Sequence, residues 1–226
     1  MPARALLEIC VESADGARAA ARGGADRLEL CADLACGGLT APPGALADLQ
    51  TACKLPVVML LRPRAGDFAY TPAELAALRE QAAAARRAGA AAVALGALAP
   101  AGTLDLPALA DLVRAARPLP VVCHRCFDEV PDPHEALEQL VALGFARVLT
   151  AGGRGTASQN AARLAALVRQ AAGRITVMPG GGVRAAGAAA LRRTTGATDI
   201  HSAARRAGAT ETDESEVAAL RAALYG

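Results

Sequence analysis

Short apolar runs with the spacing of β-strands alternate along the chain with longer Ala/Leu-rich segments of helical spacing. Helix-start signals occur at Ser13, at Thr71-Pro72 with Glu74, and at Asp132-Pro133, and glycines stand where helices should end. The last helix is predicted over Asp213–Leu224. The eight predicted strands are Leu6–Val11, Arg27–Cys31, Val57–Arg62, Ala92–Gly96, Val121–Arg125, Arg147–Ala151, Ile175–Met178 and Thr198–His201.

This strict alternation indicates a parallel sheet, because consecutive parallel strands must be joined by crossover connections, which are usually helices. Right-handed crossovers leave an open doubly wound sheet or a closed barrel as the main choices. Eight units in 226 residues, roughly 28 residues each, suit a barrel. The sequence therefore predicts an α/β fold, a single-domain TIM (β/α)8 barrel that spans residues 1–226.

Two successive strands carry the same polar pattern, in "LLEIC" (residues 6–10) and "RLELC" (residues 27–31). Side chains alternate along a strand, and the outward face of a barrel strand packs against helices. The leucines and the isoleucine should therefore point outward, and Glu8, Cys10, Glu29 and Cys31 inward. Buried carboxylates need cationic partners. The candidates at other strand ends are Arg62, His124, Arg125 and His201.

Two loops carry features that suit an anion. Arg62 and Arg64 lie with Asp67 in "RPRAGDFAY" (residues 62–70), and guanidinium groups form paired hydrogen bonds with carboxylate or phosphate. The segment "MPGGGVR" (residues 178–184) follows the seventh strand and leads into a helix. Its glycines, 180–182, would let backbone N–H groups approach an anion, and barrels of this class often bind phosphate there.

The cysteines allow two interpretations. Cys10 and Cys31 would share a face on adjacent strands, where two thiols could hold a soft ion such as Cu(I), or they could be small buried apolar residues. Cys123 and Cys126 form a C-x-x-C pattern. Within a strand, these two side chains would point to opposite faces and could not hold one ion, unless the chain bends at the strand end.

The amino-acid composition of the chain argues against several classes of function. A formal net charge of +2, dispersed charged residues and 2% aromatic residues offer neither a basic patch nor a stacking platform for nucleic acid. Glu8 and Glu12 interrupt the N-terminal apolar run, and Arg86 and Arg87 interrupt the Ala-rich stretch that follows Gln81. We therefore expect a cytoplasmic protein with reduced thiols, and neither nucleic acid nor a membrane as a partner.

Five segments stand in order along the chain: "LEICVES", "GADRLELCADLACGGLTAPPG", "LRPRAGDFAY", "HRCFDEVPDP" and "RVLTAGG". Together they resemble the CutC family of copper homeostasis proteins, and the resemblance runs from about Leu6 to Ser202. The family implies a TIM-like barrel in the cytoplasm that handles copper, and it makes Cys10 and Cys31 the natural copper ligands. Cys123 and Cys126 depart from the family pattern, as does a short segment after His201.

Two hypotheses follow. The first is a copper homeostasis protein that binds Cu(I) through Cys10 and Cys31, with His124 or His201 as a third donor, and that could pair as a homodimer. The second is an enzyme that acts on a small anionic or phosphorylated metabolite, and in one variant it uses a divalent metal. In this hypothesis Glu8 or Glu29 is the general base and His124 is the proton partner. The ligand-binding candidates are Arg62, Arg64, Asp67, Arg125, Asp128, Thr150, Gly180, Gly181, Gly182, His201 and Ser202.

Overall fold

The computed structural model describes residues 5–206 and 208–225, in which strands and helices alternate. The strands are Leu6–Val11 (β1), Arg27–Leu30 (β2), Val57–Leu60 (β3), Ala92–Leu95 (β4), Val121–Cys123 (β5), Arg147–Thr150 (β6), Thr176–Pro179 (β7) and Asp199–Ser202 (β8). The helices are Ala14–Arg22 (α1), Ala45–Ala52 (α2), Pro72–Arg87 (α3), Leu106–Ala116 (α4), Pro133–Leu143 (α5), Ala161–Ala171 (α6), Ala185–Thr195 (α7) and Glu214–Tyr225 (α8).

The strands form one parallel sheet in the order β7-β6-β5-β4-β3-β2-β1-β8. Strand β7 lies beside β8, so the sheet curls round into a nearly closed barrel surrounded by the helices. The predicted TIM (β/α)8 barrel is confirmed. In this fold the carboxyl ends of all the strands meet at one end of the barrel, which we call the mouth.

The two faces of the strands separate as the alternation predicts. Leu7, Ile9, Leu28 and Leu30 belong to the main core, which includes buried residues of the surrounding helices. A second, smaller core fills the barrel interior and contains Cys10, Cys31, Val58, Leu60, Ala92, Ala94, Val122, Leu149 and Met178. The inward direction predicted for the cysteines is therefore observed.

The predicted strand Val121–Arg125 is wrong at its end. Strand β5 stops at Cys123, and a short 3-10 helix over Arg125–Glu129 follows. His124 caps that helix, because its side chain accepts a hydrogen bond from the backbone N–H of Cys126. The chain thus bends at the strand end, and the Cys123 and Cys126 sulfurs lie 3.7 Å apart instead of on opposite faces. Both belong to the main core outside the barrel interior.

The helix-start signals are observed at Ser13, Thr71 and Asp132, whose side chains accept hydrogen bonds from the first turns of α1, α3 and α5. Thr71 and Glu74 form a reciprocal capping box. No helix within the described ranges, 5–206 and 208–225, is long and apolar enough to cross a membrane.

Replacing Thr71 by Ala should lower the free energy of unfolding by about 1 kcal/mol, because an N-terminal N–H of α3 loses its partner. Chemical denaturation would measure the change. Thr51→Ala is the matched control, since the Thr51 hydroxyl only donates to the Ala47 carbonyl within α2. We expect the control to stay within about 0.5 kcal/mol of the wild type. Equal effects of the two substitutions would contradict a specific role for the cap.

Candidate functional site

A cavity of about 220 Å³ opens at the mouth of the barrel. Its lining combines thiol, carboxylate, imidazole and guanidinium groups with backbone from the glycine-rich loop after β7. Nine of the predicted site residues line it: Cys10, Glu29, Arg62, His124, Arg125, Gly181, Gly182, His201 and Ser202.

The base of this cavity gathers potential metal donors. Cys10 lies opposite Glu29 in the β1–β2 register, and its sulfur is 3.0 Å from the sulfur of Cys31. Ligand atoms of Cys10, Glu29 and His201 all lie within 4.8 Å of one another, and the three side chains are buried. His201 Nε2 is 3.7 Å from a Glu29 carboxylate oxygen. One sulfur, one carboxylate and one imidazole therefore converge on one small volume. The Cys31 sulfur contacts the sulfur of Cys10 but does not line the cavity.

A buried charged layer lies one step deeper in the barrel. Arg27 donates to Glu8 through Nε and to Asp199 through Nη2 at 2.8 Å, so one guanidinium joins β1, β2 and β8. His201 Nδ1 contacts a Glu8 oxygen at 2.9 Å. Four cationic side chains at other strand ends were expected to face Glu8 and Glu29, and of these four His201 contacts Glu8. Glu8 does not line the cavity, because this network encloses it.

The pKa values follow from this arrangement. Burial raises the pKa of Glu8, but the His201 hydrogen bond and the Arg27 charge outweigh it, and the net pKa is about 2. For Glu29 burial prevails, and the pKa lies above its ordinary value. Burial lowers the pKa of His201. The neighbouring Glu29 and Glu8 raise this pKa by more than burial lowers it, so the net shift is upward. The contact with Cys31, together with burial and Glu29, raises the pKa of Cys10.

His124 occupies the opposite wall of the cavity. The bend after β5 positions its ring, because Nδ1 accepts the Cys126 N–H at 3.2 Å. The ring packs against Phe68 with centroids 5.1 Å apart, and the side chain is only 3% exposed. Nδ1 is used as an acceptor, so the proton of the neutral ring resides on Nε2. Nε2 is buried and has no hydrogen-bond partner among the described residues.

Arg125 lines the cavity and is held in place by Asp128, which accepts its Nε at 2.8 Å. Asp128 also accepts the Thr150 hydroxyl at 2.5 Å and the N–H groups of Ala151 and Gly153. Asp128 and Thr150 were both predicted to bind ligand, but neither lines the cavity. Their geometry supports a positioning role, in which they tie the loop after β6 to Arg125.

Arg62 and Arg64 both lie on the loop after β3, but their side chains have different neighbours. Arg62 is buried, lines the cavity and donates to the carbonyls of Cys36, Gly38 and Gly66. Arg64 turns away and forms ion pairs with Asp67 and Glu74. Arg64 and Asp67, both predicted to bind ligand, do not line the cavity.

In the glycine-rich loop after β7, two glycines line the cavity and one does not. Gly181 and Gly182 line the cavity and have positive φ angles of 89° and 74°. Gly180 does not line it. A Cβ at Gly180 would collide with the Leu149 side chain and lie 3.2 Å from the Cβ of His201, so packing requires the glycine. The Ser202 hydroxyl donates to the Val183 carbonyl at 2.8 Å, which joins this loop to β8.

Three charged residues of the site were absent from the sequence prediction. Arg27 and Asp199 share the inward face with Glu29 and His201, since each lies two positions earlier on the same strand. Extending the alternation to the strand starts would have found both. Arg184, the residue before α7, lines the cavity, and its signal was its place directly after the three glycines.

The fold and the site define a parallel (β/α)8-barrel protein whose mouth combines two buried thiols with acids, histidines and arginines. The family model of the CutC family matches residues 5–206, and the chain belongs to this family. The family protein CutC of Caulobacter vibrioides is 48% identical over 198 residues, which cover 88% of this chain and 80% of the relative.

Two further relatives agree. The human copper homeostasis protein cutC homolog is 42% identical over 200 residues, which cover 88% of this chain and 73% of that protein. The crystal structure of a CutC protein from Streptococcus agalactiae superposes with a TM-score of 0.84 at 32% identity, and it covers 88% of this chain and 98% of its own. The predicted family resemblance is thereby confirmed.

Proposed function

We propose that this protein acts in copper homeostasis in the cytoplasm by binding Cu(I) as cargo between Cys10 and Cys31 at the base of the mouth cavity. The observation that carries the proposal is the 3.0 Å separation of the two sulfurs. The Cys10 sulfur lies near His201, and Cys10 lines the cavity that opens to solvent. Thiolates are the ligands that Cu(I) prefers. The family membership, and the copper homeostasis name of the human relative, support the same cargo.

The surrounding groups suit a site that takes up and releases an ion. The raised pKa of Cys10 keeps its thiol protonated in the metal-free protein, so binding must displace a proton. The imidazole of His201 supplies a third donor, because Nδ1 contacts Glu8 and leaves Nε2 near Glu29, in the group of ligand atoms that includes the Cys10 sulfur. Glu8 orients that ring, as outer carboxylates commonly do for metal-binding histidines.

A competitive Cu(I) titration under anaerobic conditions tests the proposal. The double variant Cys10→Ala/Cys31→Ala should bind Cu(I) about a hundredfold more weakly than the wild type, because it loses both soft ligands. Cys36→Ala/Cys53→Ala is the matched control. It also removes two thiols, but both are partly exposed and neither lines the cavity.

We expect the control to bind like the wild type. Weak binding by the wild type, or equal binding by both double variants, would exclude Cys10 and Cys31 as the copper site. Circular dichroism spectra of each variant check that the barrel is intact, since Cys10 and Cys31 belong to the interior core.

A further inference from the structure

We propose that the outer part of the mouth cavity is a binding site for the phosphate group of a small metabolite. The groups that would hold it are Arg62, Arg125, Arg184, the Nε2–H of His124, and the backbone N–H groups of Gly181 and Gly182. None of these is a copper ligand in the function proposed above, so the two proposals stand or fall separately.

The first support is the buried charge of Arg62. Its side chain is 7% exposed, and it contacts backbone carbonyls and the face of Phe68, whose ring centroid lies 4.8 Å from the guanidinium carbon. Within residues 5–206 and 208–225 no carboxylate forms an ion pair with it, and its buried Nε has no partner. A buried cation without an anion is costly, so an anionic ligand in the cavity would relieve that cost.

The second support is His124, whose buried Nε2–H has no acceptor in the described part of the chain. The bond from Cys126 to Nδ1 fixes the ring as a donor at Nε2. Buried polar groups are nearly always hydrogen-bonded, and a side chain that lines a cavity can find its partner in a ligand. An oxyanion supplies such an acceptor.

The glycine-rich loop adds donors on the other side of the cavity. The structure assigns no hydrogen-bond acceptor within the described ranges to the N–H groups of Gly181 and Gly182. Helix α7 begins behind them at Ala185, whose own N–H is already bonded to Glu216. The Arg125 guanidinium carbon lies 3.3 Å from the position that a Cβ of Gly181 would take. Free N–H groups and guanidinium groups therefore adjoin each other here.

The balance of charge and size indicates the class of ligand. Three arginines line the cavity against one carboxylate, Glu29, which lies at the base beside His201. Among the residues that the structure describes, Asp128 pairs with Arg125, and no carboxylate pairs with Arg62 or Arg184. A volume of about 220 Å³ is below the usual range for drug-sized ligands and suits a small molecule. Donors on several sides favour a tetrahedral, multiply charged phosphate over a planar carboxylate.

Calorimetric titration with inorganic phosphate, in a chloride buffer, tests the site. Arg62→Gln and Arg184→Gln should each raise the dissociation constant at least about tenfold, the loss expected for one charged hydrogen-bonding donor. The matched controls are Arg64→Gln, on the loop of Arg62 but paired with Asp67 and Glu74, and Arg193→Gln, at the far end of α7 from Arg184. Both controls should bind phosphate like the wild type.

Three further measurements accompany the phosphate titration. Arg184 is exposed, so Arg184→Gln should fold even if Arg62→Gln does not. The nitrogen NMR signal of His124 Nε2 should shift on phosphate addition, which a structural role alone would not produce. Acetate, as the carboxylate probe, should bind about tenfold more weakly than phosphate or worse.

Absence of saturable phosphate binding at about 10 mM would overturn the proposal. So would wild-type affinity in Arg184→Gln, or tighter binding of acetate than of phosphate. Phosphate affinity that persists in Cys10→Ala/Cys31→Ala would support an anion site independent of copper.

Discussion

Glu8→Gln should lower the free energy of unfolding by about 3 kcal/mol at neutral pH, the lower end of what breaking one buried ion pair costs. The substitution keeps the size of the side chain but removes the charge that faces Arg27 and His201. Arg27 would keep Asp199 alone, in a layer where all three side chains are at least nine-tenths buried. The stabilisation of the buried guanidinium would therefore be incomplete.

Urea denaturation followed by circular dichroism measures this effect as a lower midpoint with an unchanged slope. Glu138→Gln is the matched control, because it makes the same substitution in an ion pair with Arg174 whose side chains are both more than two-fifths exposed. Solvent-exposed pairs contribute little to stability, so the control midpoint should hardly move. If the two midpoints shifted equally, the buried layer would stabilise the barrel no more than a surface pair does.

Gly96→Ala should lower the free energy of unfolding by about 2 kcal/mol, through overpacking. Gly96 follows β4, and a Cβ there would lie 2.8 Å from His124 Cε1 and collide with the Cys126 sulfur. Both neighbours are buried, and the bond from Cys126 to His124 holds them together. Neither can move without disturbing the bend after β5.

Thermal and urea denaturation would measure the loss. Gly187→Ala serves as the control, because Gly187 lies within α7 and the nearest atom to its added Cβ is the Ser158 hydroxyl at 3.4 Å. Alanine in a helix is favoured over glycine by roughly 0.5–1 kcal/mol, so this control should become more stable. Stabilisation by both substitutions would refute the tight fit at Gly96.

The barrel and its inward-facing acids and thiols could be predicted because both depend on simple periods. The alternation of strands and helices sets the fold, and a period of two assigns Glu8, Cys10, Glu29 and Cys31 to one face. The same period includes Arg27 and Asp199. They were missed because a charged residue at the start of a strand resembles a boundary residue.

Other features depend on where the chain leaves the sheet, which periodicity does not determine. Arg62 and Arg64 are two positions apart and would share a face in a strand, but β3 ends at Leu60. Hydrogen bonds to carbonyls of another loop then hold Arg62 in the cavity, while Glu74 draws Arg64 away. The bend at His124 likewise involves a hydrogen bond from the Cys126 backbone N–H to its ring. Such contacts form only after the chain has folded.

The Arg27 layer closes the inner end of the cavity. Glu8, Asp199 and Met178 all contact Arg27 and are almost completely buried, so in the described part of the chain this layer separates the thiols from solvent along the barrel axis. An ion that reaches Cys10 must enter and leave past His124, Arg62 and the glycine-rich loop. If copper and phosphate both bind as proposed, they would have to enter and leave this cavity in sequence. A phosphate held among the arginines would trap a copper ion already bound behind it and would keep a free one out.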